Sequence, residues 1–101
     1  MKIKTKDKYT PETLEVYGIY EISGEIYYYV CPDKYEGLLV MRNDEVEVVD
    51  NSINNFVFKQ GEYGFLMCSK FIEDDNFREC LSECDPNTFA KFSQLITIKN
   101  D

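Results

Sequence analysis

The sequence predicts an α+β domain that is mainly β: about five strands in a curved antiparallel sheet or a small barrel, followed by two short C-terminal helices. Two observations predict it. From residue 14 to residue 58 the apolar residues come in short alternating or continuous runs, broken by turn residues every few positions. From residue 77 the spacing changes to i, i+3, i+4, i+7, the period of an amphipathic helix. A chain of 101 residues, 44% of them hydrophobic, can bury one core. It reads as a single domain over 1–101, with a lysine-rich arm or edge strand at 1–8, a β-sheet part at 9–60 and a mainly helical part at 61–98.

Each element has its own signal. Residues 1–8 alternate lysine with Ile3 and Thr5, which suits an edge strand or a frayed arm. After Thr10-Pro11-Glu12, the run Leu14–Ile22 alternates as a half-buried strand, and Ile26–Cys31 returns as the second arm of a hairpin. Residues 37–42 read as a buried strand, Asn43-Asp44 as a tight turn and 45–50 as the next strand. Phe56-Val57-Phe58 is the fifth strand, closed by Gln60-Gly61-Glu62, while residues 65–72 suit strand or helix equally. Phe77, Cys80, Leu81 and Cys84 share one helical face, with Asp74 or Asp75 at its start. Asp85-Pro86 opens a second helix as N-cap and first helical position, striped by Phe89, Phe92, Leu95 and Ile96.

Tyr27, Tyr28 and Tyr29 stand side by side in a strand, so each face of the sheet receives a large aromatic. The hairpin register decides which. A three-residue loop at Ser23-Gly24-Glu25 pairs Ile22 with Ile26 and gathers Ile26, Tyr28 and Val30 with Leu14, Val16, Tyr20 and Ile22. A two-residue turn at Gly24-Glu25 exchanges the two sets. The first arrangement is preferred, because it collects most of the aliphatics on one face and leaves Tyr17, Ile19, Tyr27 and Tyr29 with two glutamates on the other. Seven of the eight tyrosines fall in 9–35 and all seven phenylalanines in 56–92. Tyrosine favours a half-wet setting and phenylalanine a dry one, so the N-terminal sheet reads as partly exposed and the C-terminal part as plain core.

Charge and chemistry narrow the function. The net charge is −8, but residues 1–8 carry Lys2, Lys4, Lys6 and Lys8 against Asp7 alone. The remaining 93 residues hold 7 basic and 18 acidic side chains. Such a body repels phosphate backbones and anionic lipid, and attracts basic partners. Histidine is absent, no glycine-rich phosphate loop is present, and Cys31, Cys68, Cys80 and Cys84 lack the paired spacing of a zinc site. They read as reduced core thiols. Neither a signal peptide nor a transmembrane run is legible, so a cytoplasmic setting is expected.

These features predict a non-catalytic protein-binding domain with no cofactor, no metal, no direct nucleic acid and no membrane contact, as monomer or homodimer. Its frame is expected to be a small barrel of SH3-like form. The candidate contact residues are Tyr17, Tyr27, Tyr29 and Tyr35, with Asp44, Glu45 and Glu47 as the acidic steering group. The expected partner is a basic protein, a toxin or nuclease domain that an immunity or antitoxin-like inhibitor would occlude. A phage-type inhibitor of a nucleic-acid-handling complex, or an adaptor whose acidity only confers solubility, would carry the same composition.

Overall fold

The computed structural model of the chain describes residues 1–53, 55–60 and 64–100, with side chains to residue 97. In chain order the elements are β1 (Lys2–Thr5), β2 (Thr13–Ile22), β3 (Glu25–Val30), β4 (Leu39–Arg42), β5 (Val46–Asp50), β6 (Phe56–Gln60), β7 (Phe65–Ser69), α1 (Asp75–Ser82) and α2 (Pro86–Asn100). Short 3₁₀ turns lie at Asn43–Glu45, where a simple tight turn is expected, and at Lys70–Ile72. The class is α+β and mainly β. The sheet, however, is open and has seven antiparallel strands, where the sequence predicts five strands and allows a closed barrel. Gly61 and Glu62 of the expected turn after β6 lie outside the described residues.

Both additional strands have a physical reason. β1 is neither arm nor edge: it pairs with β2 on one side and β5 on the other, and its Ile3 is fully buried opposite Leu14 and Val48. Lys2 stands across from Glu15 and Asp50, and Lys4 from Glu47, so the lysines find opposite charges on the outer face. β7 lies between β2 and β6, with Leu66 and Met67 partly covered and Cys68 and Ser69 buried. A strand packed on both faces shows no alternation, which is why residues 65–69 gave no period.

β2 organises the sheet. Its second half pairs with β3 along one edge, while its other edge is shared by β1 against residues 13–15 and β7 against residues 18–20. Val16 pairs with Val30 and Gly18 with Tyr29, so Tyr17 is an extra residue, a β-bulge. The bulge reverses the alternation. Leu14 and Val16 share a core with Ile19, Tyr28 and Val30, whereas Gly18 and Tyr20 point to the opposite face.

The hairpin turn differs from both expected forms. Ser23 and Gly24 take φ of +52° and +84°, a two-residue turn of the I′ kind that pairs Ile22 with Glu25 and Tyr20 with Tyr27. Ile26, Tyr28 and Val30 still reach the aliphatic face, because turn and bulge together restore what the simple alternation placed there.

The two helices cover part of the face opposite that first core. Ile72, Leu81 and Phe92, none of them measurably exposed, pack with Leu38 and Cys68 and with the partly buried Tyr17 and Tyr29. Gly18 permits this approach: a Cβ there would lie 3.0 Å from the Tyr29 ring and 3.3 Å from Ile72. Asp74 caps α1 by accepting from the Phe77 N–H at 2.8 Å. The helix ends in a Schellman motif: Asp85 N–H donates to Cys80 O and Cys84 N–H to Leu81 O, both at 3.1 Å. Cys84, expected on the buried face of α1, is instead the exposed left-handed residue of that motif, with φ +61°. Asp85 then caps α2, accepting from Thr88 N–H at 2.9 Å and Thr88 Oγ1 at 2.6 Å.

Two substitutions test this packing by denaturant unfolding. Phe92→Ala is expected to cost about 3–5 kcal/mol, a large part of the stability of a domain this size. Cys84→Gly is expected to stabilise by about 0.5–1 kcal/mol, because glycine adopts the left-handed conformation without the Cβ penalty.

Candidate functional site

Strand register lays the side chains of this face in rows across the sheet. One row runs Val40, Tyr29, Gly18, Cys68, Val57 over β4, β3, β2, β7 and β6. Its middle lies beneath the helices. The next row runs Arg42, Tyr27, Tyr20, Leu66, Lys59 over the same strands. α1 reaches this row at its β6 end, where Asp75 meets Lys59, while Tyr20 and Tyr27 belong to neither buried cluster and stay partly exposed.

The tyrosines of the open row form a built aromatic surface. Tyr20 and Tyr27 stack with ring centroids 4.9 Å apart and planes 14° from parallel, and Tyr29 joins at 5.2 Å and 40°. Cross-strand pairing of this kind fixes both rings without the loss of further rotamer freedom on binding. Tyr28, on the other face, is 5% exposed and donates its hydroxyl to Asn43 Oδ1 at 2.8 Å. Beside Tyr20 a cleft of about 350 Å³ opens between sheet and α1, lined among others by Ile22, Lys59, Leu66, Asp75 and Arg78.

Both ends of the row are cationic, and both cations are engaged. Arg42 Nε lies 3.4 Å from Asp44 and 3.5 Å from Glu45. Lys59 Nζ donates to Glu73 O at 2.7 Å and to Asp75 Oδ1 at 3.3 Å. Asp75 also accepts from Arg78 Nη2 at 2.6 Å, and Arg78 Nη1 donates to Ile72 O at 2.9 Å. Hydrogen bonds from Arg78 and Lys59 hold the Asp75 carboxyl below the usual carboxylate range. Asp75 thus ties the start of α1 to β6, and the rim holds Arg42, Lys59 and Arg78 against Asp44, Glu45, Glu73, Asp74 and Asp75.

The expected contact residues divide accordingly. Tyr27 and Tyr29 meet through Tyr20, and Asp44 and Glu45 join Tyr27 through Arg42. Tyr17 lies under α2, edge-on to Phe92 at 5.0 Å and 78°. Tyr35 sits in the loop after β3, beside Cys84 past the far end of α1. Glu47 is on β5, across from Lys4. Tyr20, Arg42, Lys59 and Arg78 escaped sequence reasoning. The signal for Tyr20 was present: a two-residue turn at Ser23-Gly24 sets positions 20 and 27 opposite each other.

The cysteines are four free thiols, and among the described residues no group of three or more Cys, Asp or Glu is placed to hold a metal. No helix of the described residues is long and apolar enough to cross a membrane. Compared with protein-family models, curated proteins and solved structures, the chain matches none.

Burial separates the tyrosines by acidity. Desolvation pushes Tyr17 up to about 12 from 10.0, and raises Tyr29 with partial relief from the charge of Arg78. A raised tyrosine pKa favours the neutral form in the folded state. Its stabilisation is fully present below pH 10.0 and is lost as pH rises through about 12. Denaturant unfolding is therefore expected to show falling stability above pH 10.0, with Tyr17 ionising last in ultraviolet difference titration. Ionisation of every tyrosine near pH 10 without loss of stability would contradict this placement.

Proposed function

We propose that this chain is a small non-catalytic protein-binding domain whose open Tyr20–Tyr27 row is the centre of its contact surface. The partner is a basic protein, and the role is occlusion of that protein's cationic working surface, in the manner of an immunity or antitoxin-like inhibitor. The observation that carries the reading is the stacked pair itself: two partly exposed aromatic rings, fixed by strand pairing, beside a charged rim. Tyrosine at the centre with charge at the edge is the composition of an interface core and its rim.

The charge balance supports the sign of the partner. The rim holds more carboxylates than cations, and the chain as a whole is at −8. A basic protein is drawn toward such a surface, and its Lys and Arg can pair with Asp44, Glu45 and Glu73 at the periphery. The same field opposes direct contact with a nucleic-acid backbone. Arg42 and Lys59, each held by a carboxylate, keep the ends of the row in fixed positions, so the rings enter the contact preorganised.

The test is affinity capture from the source cell's lysate with the chain as bait, at low and at raised salt, beside Tyr20→Ala and Tyr27→Ala baits. A basic protein is expected to be retained at low salt and weakened as salt rises. Each alanine variant is expected to lower its affinity by about fivefold or more, roughly 1 kcal/mol. A partner held equally by all three baits would overturn the proposed surface.

A further inference from the structure

The phenylalanines are distributed against the sequence expectation of a dry C-terminal core. Of the seven, Phe92 is fully buried, five are partly covered, and Phe58 is 62% exposed. Phe58 lies on β6 and stacks on Phe65 of β7 with centroids 6.0 Å apart and planes 19° from parallel. Among the described residues β6 pairs with β7 alone, so its outer edge is unpaired. Exposed apolar edge strands are normally blunted by charge, proline or a bulge. β6 has a single charged side chain, Lys59, and that is drawn to Asp75 and Glu73 on the helix-bearing face, away from Phe58.

The charge pattern says what this edge can meet. Residues 51–72 contain Lys59, Lys70 and one acid, Glu62, in a chain that is otherwise strongly acidic. A basic partner is steered elsewhere, to the carboxylate-rich surfaces. Asp75 reaches the helix-bearing face of β6 at Lys59, but the other face, with Phe56, Phe58 and Gln60 beside Ser69, Met67 and Phe65 of β7, is uncharged, and there a second copy at −8 meets least repulsion. The other two outer strands are less suited: β5 carries Glu47 and Asp50, and β4 runs directly into Asp44 and Glu45.

We infer that β6 pairs antiparallel with β6 of a second copy about a twofold axis at Phe58, joining the two sheets into one. In this register Phe58 faces its own counterpart, Val57 faces Lys59, and Phe56 faces Gln60. No like charges stand directly opposite one another. The contact is isologous and closes, since each copy then has its β6 edge paired. It leaves the Tyr20–Tyr27 stack, two strands away, open in each copy.

The test is sedimentation over a concentration range with three proteins: the unaltered chain, Phe58→Glu and Phe58→Lys. The unaltered chain is expected to dimerise, and more tightly as salt rises, because screening relieves the repulsion between two acidic bodies. That salt dependence is opposite in sign to capture of a basic partner, so the two readings fail separately. Each variant is expected to weaken dimerisation about tenfold or more, and an equimolar mixture of the two to restore a dimer containing one of each. Circular dichroism should be unchanged, since the side chain is largely exposed. A chain monomeric at every concentration, a dimer indifferent to both variants, or a mixture that stays monomeric would each overturn the assignment.

Discussion

The structure depends on one residue that does not fit its strand. Tyr17 bulges out of β2 between Val16 and Gly18, and the alternation of a ten-residue strand reverses at that point. Before the bulge β2 carries Leu14 and Val16 to the inner core, and after it carries Ile19 there. Without the bulge Ile19 would join the helix-bearing face and Gly18 would leave it. Gly18 is needed where it is, because Ile72 and Tyr29 close in over its missing side chain. The same local distortion thus fills two cores and sends Tyr20 to the face where Tyr27 meets it.

The helices turn that sheet face into a bounded surface. They cover the middle of the row through Gly18 and reach the row through Tyr20 at its β6 end, where Asp75 bridges Lys59 and Arg78. At the far end of α1 the Leu38 N–H donates to Leu81 O at 3.1 Å and fastens the loop after β3 to the helix. Acidic side chains therefore have two separate employments. Asp74, Asp75 and Asp85 cap or tie helices, and Glu15, Glu47 and Asp50 stand across from the lysines of β1. Part of the charge of −8 is structural, and the proposed steering of a partner rests on the remainder.

Much of this was legible in the sequence, and the misses have specific causes. The strands read at 14–22, 26–31, 37–42, 45–50 and 56–58 follow from alternating or continuous apolar runs between turns, and both helices from their caps and spacing. The barrel and the strand count failed on β1 and β7. Lysines beside Ile3 look like an edge strand until cross-strand carboxylates are known, and Phe65–Ser69 has no period because it is covered on both faces. A bulge has no signature in alternation, so simple alternation puts Tyr20 on the wrong face and Tyr28 on the right one. The reading of phenylalanine as dry core failed at Phe58, because residue type reports preference, and strand position at the sheet edge overrides it.

The most direct test of the account is hydroxyl-radical footprinting of the free protein, with oxidation resolved residue by residue along the three consecutive tyrosines. The account predicts that Tyr27 and Tyr20 are oxidised more readily than Tyr17 and Tyr29, which pack on the helix-side core, and that Tyr28 is protected. Ready oxidation of Tyr28 with protection of Tyr20 and Tyr27 would mean that β2 and β3 present the opposite faces, and would contradict both the bulge and the surface built on it.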